Sequence, residues 1–210
     1  MIIDLSHPIR PGMPVYPGDP ETTFVRHADY DCEGCLVHAV TMSTHAGTHI
    51  DAPAHWIRNG MTVDSPSILA ACVGPAKVLD VTRTAEPGLI APRDLEEAGV
   101  SICEGDRILL ATGWSKRFKD GSSYEGFPSV SEELARMLAE RRIVLLGVET
   151  PSLHASRDEA VHTILLSAGV AIVENLANLA KIAGRTVFFA AAPLALEGLD
   201  GSPVRAFAMT

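Results

Sequence analysis

The sequence lacks the basic clusters and long apolar runs that characterise two large classes of protein. Its 210 residues carry a net charge of −9, and no run of adjacent basic residues is longer than the pairs Lys116-Arg117 and Arg141-Arg142. Because neutralising phosphates requires clustered lysine and arginine, no nucleic-acid partner is expected. No uncharged run approaches the ~20 apolar residues of a membrane helix, so no membrane partner is expected either.

Cysteine is scarce and is not arranged as a disulfide framework. Of four cysteines, Cys32 and Cys35 form a C-x-x-C, but Cys72 and Cys103 supply no second pair for a zinc ribbon. Strand-like sequence follows the C-x-x-C, whereas a thioredoxin-type motif would open a helix. The first residues, M-I-I-D-L-S-H-P, also lack the basic segment and apolar core of a signal peptide. Free thiols and a cytoplasmic location are therefore expected.

Length and composition favour one globular domain spanning residues 1–210. The chain is 47% hydrophobic and 20% charged, which is ordinary for a globular protein with a substantial core. Patterning predicts strands over 1–6, 22–27, 36–42, 76–81, 107–111, 143–148, 170–173, 186–191 and 203–209. Helices are predicted over 66–71, 92–98 and 158–168, with another opened by a capping box at Ser129 and Glu132 and running to Arg142. This irregular alternation favours a mixed α/β fold of packed layers.

The most informative stretch is the fourteen residues 43–56, S-T-H-A-G-T-H-I-D-A-P-A-H-W, which hold three of the eight histidines. Alternate positions carry the chemically useful side chains: His45, Gly47, His49, Asp51, Pro53 and His55. In an extended chain successive side chains point to opposite faces, so the ionisable groups would share one face. Glycine, proline and the β-branched residues of the segment disfavour a helix.

The spacing of these side chains predicts a metal site. His49 and Asp51 would lie roughly 7 Å apart at the backbone in a strand, close enough to reach one ion. His45 would lie about 13 Å from His49 in a straight strand, so a bend at Gly47 is needed to bring it near. Two imidazoles and a carboxylate suit zinc, manganese or iron. The alternative is a surface loop whose histidines are incidental.

Further ligands are predicted on distant elements, at His162 and Glu174. His162 borders the apolar stripe of the helix over 158–168, and Glu174 ends the apolar strand that follows. A glutamate after V-A-I-V is costly to bury without a partner. The alternatives are a hydrogen-bonded histidine at a helix edge and a glutamate that caps a helix or pairs with arginine. Tyr16, in the proline-rich stretch 7–20, is a packing aromatic on composition alone, and residues 113–128 read as a long loop near or over a pocket.

The segment H-A-G-T-H-I-D-A-P-A-H at 45–55 resembles the H-x-G-T-H-x-D-x-P-x-H signature of the metal-dependent cyclase/hydrolase family, which includes bacterial kynurenine formamidases. The similarity extends along the chain through D-L-S-H-P, P-V-Y-P-G-D, V-G-P-A-K-V-L-D-V, G-V-E-T-P-S, H-T-I-L-L-S-A-G-V-A-I-V-E-N-L and D-G-S-P-V-R-A. It implies a swivelling β/β/α domain, with a mixed barrel-like sheet flanked by helices, that associates as a homodimer or homotetramer.

The resemblance also implies a site with two divalent ions per chain, zinc as in the formamidases or manganese as in isatin hydrolases. By position, one ion is held by His45, His49 and Asp51, and Asp51 bridges to a second held by His162 and Glu174. His55 matches the proton donor and acceptor of the family. Two departures concern the substrate: Tyr16 stands where kynurenine formamidases have a substrate-contacting tryptophan, and Glu149 and His154 replace aspartates.

The sequence therefore predicts a hydrolase that cleaves the C–N bond of a small aromatic amide, an aryl formamide or a cyclic aryl amide. A cyclase or lactonase reaction is the nearest alternative. A different class is an Fe(II) oxygenase using His49, Asp51 and His162 as its facial triad, which leaves His45 and His55 without roles. A non-catalytic metal-binding protein is the third possibility, although closed structural sites usually saturate zinc with cysteine and histidine.

Overall fold

The computed structural model describes residues 1–84, 88–120 and 124–210, which are built around one mixed sheet of nine strands. The strands of the chain are β1 (Ile2–Asp4), β2 (Thr23–Ala28), β3 (Val37–Thr41), β4 (His49–Asp51), β5 (Val73–Asp80), β6 (Leu89–Ile90), β7 (Arg107–Ala111), β8 (Ser129–Val130), β9 (Leu145–Val148), β10 (Ala171–Glu174), β11 (Thr186–Ala190), β12 (Gly201–Pro203) and β13 (Phe207–Met209). The large sheet has the order β1-β13-β11-β5-β7-β9-β10-β4-β12. It curls into a half-barrel, as the resemblance implies.

Parallel pairing at the centre of the sheet is flanked by antiparallel pairing at both edges. β5, β7, β9 and β10 run parallel, while β4 lies antiparallel between β10 and β12. Every residue of β9 and β10 is buried, as expected for strands covered on both faces. The mixed α/β prediction is confirmed.

The described ranges contain five α-helices: α1 (Tyr30–Glu33), α2 (Pro66–Ala71), α3 (Pro92–Glu97), α4 (Glu132–Glu140) and α5 (Asp158–Ser167). On β7, Ile108 and Leu110 join one core cluster with residues of α3, α4 and α5, whereas Leu109 joins a second cluster on the other face. This alternation is the two-residue period of a strand between two apolar layers. Within the described ranges, none of the helices has both the length and the apolar character needed to cross a bilayer.

A separate two-stranded ribbon, β2 with β3, stands outside the large sheet. Nearly all of its residues are exposed, and α1 lies at its turn. Cys32 and Cys35 are exposed in this turn, and all four cysteines, which fall within the described ranges, are free thiols.

Most predicted strands and helices are observed at nearly their predicted bounds, with three corrections. The predicted strand 203–209 is divided: Pro203 ends β12 and Phe207–Met209 forms β13, because the chain changes its hydrogen-bonding neighbour between them. The helix α4 is capped by Ser131, whose side chain accepts from the Leu134 amide, so the predicted cap at Ser129 is wrong; Ser129 lies in β8. The predicted loop 113–128 contains a 3₁₀ helix over Trp114–Asp120, and its residues 121–123 lie outside the described part of the chain.

Candidate metal centre

The histidine segment is only partly extended, and its turns bring the side chains together. Its single strand is β4; Gly47, with φ of 64°, turns the chain before it, and a 3₁₀ turn over Pro53–His55 follows. His49 and Asp51 share one face of β4, while Ile50 packs into the core behind. The predicted alternation therefore holds for β4, and His45 reaches the same place through the bend at Gly47 rather than along a strand.

Strand register brings Glu174 beside this face. Glu174 of β10 pairs directly with His49 of β4, and His162 of α5 points to the same carboxylate. Nε2 of His49 lies 3.5 Å from Oε2 of Glu174, and Nε2 of His162 lies 3.1 Å from Oε1. His162 is buried rather than at the helix edge. The two distant residues predicted from the sequence thus lie beside the histidine segment.

Asp51 is shared by two groups of potential ligand atoms. Its Oδ1 is 2.8 Å from Nδ1 of His45 and 3.3 Å from Nε2 of His49. Its Oδ2 is 3.5 Å from Nε2 of His162. In each group, His45-His49-Asp51 and Asp51-His162-Glu174, the ligand atoms all lie within 4.8 Å of one another.

The hydrogen bonds around these groups fit divalent cations. Nδ1 of His49 lies 2.8 Å from the Gly47 carbonyl, and Nδ1 of His162 lies 2.9 Å from the Asp158 carbonyl. Because a carbonyl only accepts, each Nδ1 carries a proton, and the Nε2 lone pair of each neutral ring then faces carboxylate oxygens. Within the described residues, Oδ2 of Asp51 is buried without a hydrogen bond. A cation between Nε2 and the carboxylates removes this repulsion and satisfies that oxygen.

In the absence of a cation, protons take its place. Burial alone would lower the pKa of His45 and of His49, but the hydrogen bonds and negative charge of the neighbouring carboxylates outweigh it and raise the pKa values to about 9 and about 10. Burial alone would raise the pKa of Asp51. The hydrogen bonds and positive charge of the facing histidines outweigh burial and lower this pKa well below its usual value. The metal-free centre is therefore a cluster of imidazolium and carboxylate groups.

This arrangement gives a pH prediction for the metal-free protein. Histidine pKa values raised in the folded state stabilise it fully below about pH 6.5 and lose that effect as the pH rises toward 10. We expect the free energy of unfolding after chelation to fall by at least about 1.4 kcal/mol across this range, the equivalent of one pKa unit on one group. Urea titrations from pH 6 to pH 10 measure it.

The direction in which the free energy of unfolding changes with pH tests this prediction. Burial, with a smaller contribution from Lys119, lowers the pKa of His7 to about 4. His7 therefore changes the free energy of unfolding only below pH 6.5, outside the range from pH 6.5 to 10 in which the fall is expected. A free energy of unfolding that stays level or rises between pH 6.5 and 10 would contradict the close contact of His45 and His49 with carboxylates.

His55 lies beside the two groups and outside them. Its ring centroid is 4.0 Å from that of His45, and its Nδ1 is 3.5 Å from Oδ2 of Asp200. His45, His55 and Asp200 form a third set whose ligand atoms lie within 4.8 Å of one another. The geometry thus places His55 next to the centre and leaves both proton transfer and metal binding open to it.

A cavity of about 210 Å³ opens onto the centre. It is lined by Tyr16, Asp19, His45, His49, His55, Trp56, Tyr124, Pro151, Ser152, Asp158, His162 and Glu174. Tyr16 meets Tyr124 edge to face, with centroids 5.9 Å apart. Trp56 lies 5.7 Å from the ring of His162. The polar floor and aromatic wall suit a small aromatic ligand that carries a polar group.

The sequence of residues 3–155 matches the family model described as Cyclase, putative cyclase. The chain belongs to this cyclase family. A kynurenine formamidase of Bacillus thuringiensis subsp. konkukian (strain 97-27) is 35% identical to it over 97% of the chain and 95% of the relative.

Solved structures agree with this assignment. A potential metal-dependent hydrolase with cyclase activity is 33% identical, with a TM-score of 0.83 over 99% of this chain and 96% of that one. Isatin hydrolase A from Labrenzia aggregata is 30% identical, with a TM-score of 0.89 over 100% and 93%. This cyclase-family protein is therefore a hydrolase, and its buried histidines and carboxylates indicate that it uses divalent metal.

The substitutions noted in the sequence of this cyclase-family protein fall in two different places. Tyr16 lines the cavity. Glu149 is buried and accepts hydrogen bonds from the Gly113 amide at 2.6 Å and the Ser115 hydroxyl at 2.9 Å, so it holds the start of the loop at 113. Nδ1 of His154 accepts from the amide of Arg157 before α5. Of these positions, Tyr16 alone is among the residues that line this cavity.

Two residues of the site were not predicted from the sequence: Asp200, which lies beside His45 and His55, and Tyr124, which lines the cavity. Asp200 belongs to the D-G-S-P-V-R-A stretch that carries part of the resemblance, but its place beside His45 depends on the pairing of β12 with β4. Tyr124 lies in the stretch predicted to approach a pocket, and nothing in its local sequence distinguishes it from a packing aromatic.

Proposed function

We propose that this protein hydrolyses the C–N bond of an aryl formamide, with two divalent ions per chain, zinc or manganese. The observation that carries the proposal is the buried Asp51, whose two oxygens face two separate sets of histidine and carboxylate groups at the floor of a cavity with an aromatic wall. The kynurenine formamidase relative supports the amide as the bond and the aryl group as its substituent.

The residues divide between the two ions by proximity. One ion would be held by His45, His49 and Asp51, and the second by Asp51, His162 and Glu174. Divalent cations in such a place lower the pKa of water and polarise a carbonyl group. Asp158 supports this arrangement, because its carbonyl fixes the ring of His162 while its carboxylate accepts from the Ser152 hydroxyl at 2.7 Å.

The remaining side chains bind the substrate and move the proton. Tyr16, Trp56 and Tyr124 contact the aryl ring and exclude water from one side of the cavity. His55 delivers a proton to the nitrogen that leaves, since an amine departs poorly as an anion and an imidazole ring can carry the proton to it. His55 is only partly buried, with 28% of its side chain exposed, so it exchanges protons with solvent between turnovers.

A cyclic aryl amide is the second candidate substrate. The isatin hydrolase A from Labrenzia aggregata aligns over the whole chain, and a cyclic amide would present the same carbonyl and C–N bond to the centre. A lactone would need the same polarised carbonyl. The Fe(II) oxygenase alternative uses only His49, Asp51 and His162. It gives the other clustered residues, His45 and Glu174, no role. The hydrolase relatives also favour the hydrolytic reaction.

An activity screen tests the proposal directly. Protein loaded with zinc or with manganese is assayed for hydrolysis of N-formylkynurenine, formanilide, isatin and an aryl lactone, with and without oxygen. Release of formate from the two formamides, in air and under argon alike, is the expected result. Ring opening of isatin without any formamide hydrolysis would select the second candidate, and strict dependence on oxygen would select the oxygenase.

Tyr16 gives a prediction about substrate binding. It is 49% exposed and touches Tyr124 by an edge, so it contributes little to the core. We expect Tyr16→Ala to raise KM for an aryl formamide about two- to tenfold, the equivalent of one aromatic contact, with the thermal midpoint nearly unchanged. Steady-state kinetics and a melting curve measure both.

Tyr30→Ala is the matched control, because Tyr30 is 70% exposed on the ribbon turn and away from the cavity. Tyr30→Ala should change neither KM nor the thermal midpoint. A large fall in the midpoint of Tyr16→Ala with KM intact would return Tyr16 to a packing role.

A further inference from the structure

Asp200 is a carboxylate beside the centre to which the proposed reaction has so far given no role. Its Oδ2 lies 2.8 Å from Nε2 of His45 and 3.5 Å from Nδ1 of His55. Its Oδ1 accepts a hydrogen bond of 3.2 Å from the hydroxyl of Thr44. One carboxylate thus touches both a predicted metal ligand and the predicted proton carrier.

Pairing with β4 fixes the backbone that carries this carboxylate. The carbonyl of Asp200 accepts from the Ala52 amide at 2.9 Å, and Gly201 pairs with Asp51 in the next step of the ladder. A Cβ at Gly201 would lie 2.8 Å from Cε1 of the His45 ring. The His45 ring therefore packs against the backbone of Gly201, and only glycine leaves room for it.

The contacts of Asp200 determine which nitrogen of His55 is free. An ionised carboxylate only accepts, so the ring nitrogen that faces it carries a proton. For His55 that nitrogen is Nδ1, which leaves Nε2 as the atom that exchanges a proton in the cavity.

We propose that Asp200 is a positioning residue that holds His55 in its Nδ1–H form, with Nε2 available for proton transfer to the leaving nitrogen. The kinetic part of this proposal rests on the proposed function. Its structural part, the protonation of one ring nitrogen, concerns this chain's own residues and is measured separately.

The kinetic test is a double-mutant cycle of Asp200→Asn and His55→Ala in the zinc-loaded protein, with formanilide as substrate. Loss of a supporting partner typically costs about 10–100-fold, so Asp200→Asn alone should lower kcat by this factor with KM changed less than about twofold. In the His55→Ala background it should cost no more than about twofold. Phenyl formate, whose phenolate leaves without a proton, should be affected less than formanilide in the single variant.

Asp106→Asn is the matched control, because Asp106 pairs with Lys77 at the opposite end of the parallel strands from Glu174. It removes one carboxylate and should leave kcat unchanged. Equal losses from Asp200→Asn with and without His55 would overturn the proposal. Loss of a metal ion in Asp200→Asn would also overturn it, since Asp200 would then belong to the metal centre.

A spectroscopic measurement separates this proposal from the proposed function. Nitrogen-15 NMR of the histidine rings in zinc-loaded protein should show His55 protonated at Nδ1, and Asp200→Asn should shift the proton toward Nε2. If neither formanilide nor phenyl formate is hydrolysed, the proposed function fails while this measurement still decides the role of Asp200. A His55 ring already protonated at Nε2 in the unchanged protein would refute the positioning role.

Discussion

Replacing His55 with alanine is expected to lower kcat for an aryl formamide by at least about a hundredfold while the metal content stays unchanged. Proton transfer by a positioned side chain typically contributes about 10²–10⁴-fold to a rate. His55 lines the cavity and belongs to neither of the two ligand sets that share Asp51, so its removal takes away a proton carrier without opening either set. Elemental analysis and kcat must be measured on the same preparation.

His38→Ala is the appropriate control, because His38 is exposed on β3 of the ribbon and away from the cavity. It should leave both values unchanged. Loss of an ion from His55→Ala would show that His55 binds metal together with His45 and Asp200, the third set of close ligand atoms. Wild-type kcat with full metal content would mean that another group moves the proton.

Asp51 and Glu174 are expected to differ in how much metal their removal releases. Glu174 belongs to one set of ligand atoms, so Glu174→Ala should lower the content toward one ion per chain. Asp51 belongs to both sets, so Asp51→Ala should lose both ions. Since loss of a supporting partner alone typically costs about 10–100-fold, either change should reduce hydrolysis by more than about a hundredfold.

Both carboxylates are buried, so folding has to be checked beside the metal content. Circular dichroism spectra and the nearly isosteric variants Asp51→Asn and Glu174→Gln serve this purpose. Asp64→Ala removes an exposed carboxylate near Gly198 and should retain all metal. Two ions retained by a folded Glu174→Ala would remove Glu174 from the predicted ligands, and equal losses from Asp51 and Glu174 would remove the bridging role of Asp51.

Part of the centre could be predicted from local sequence because it depends on local geometry. His49 and Asp51 share a face of β4 through the two-residue period of a strand, and Glu174 ends an apolar strand where a lone carboxylate would be costly. Gly47 marks the bend that delivers His45. Each of these features depends only on residues within a few positions of it in the sequence, so patterning reveals it.

The rest depends on pairing between distant segments, which local patterning does not contain. Asp200 reaches His45 because β12 lies next to β4 in one particular register. The apolar run 203–209 resembles one strand, yet its two ends pair with β4 and with β11. The packing of the whole sheet determines which strands pair. The sequence therefore predicts the strands, the helices and the metal-binding side chains, but not which strands lie next to one another.

The position of β4 between β10 and β12 also has a consequence for how the protein is made. As the chain leaves the ribosome, residues 45–51 emerge more than a hundred residues before the strands that flank β4 on either side. Until Gly201–Pro203 is available, the histidines of β4 belong to an unpaired segment with few fixed ligands. Since a preformed metal site rarely exists in an unfolded chain, metal is acquired after synthesis of this sheet edge, in step with its closure.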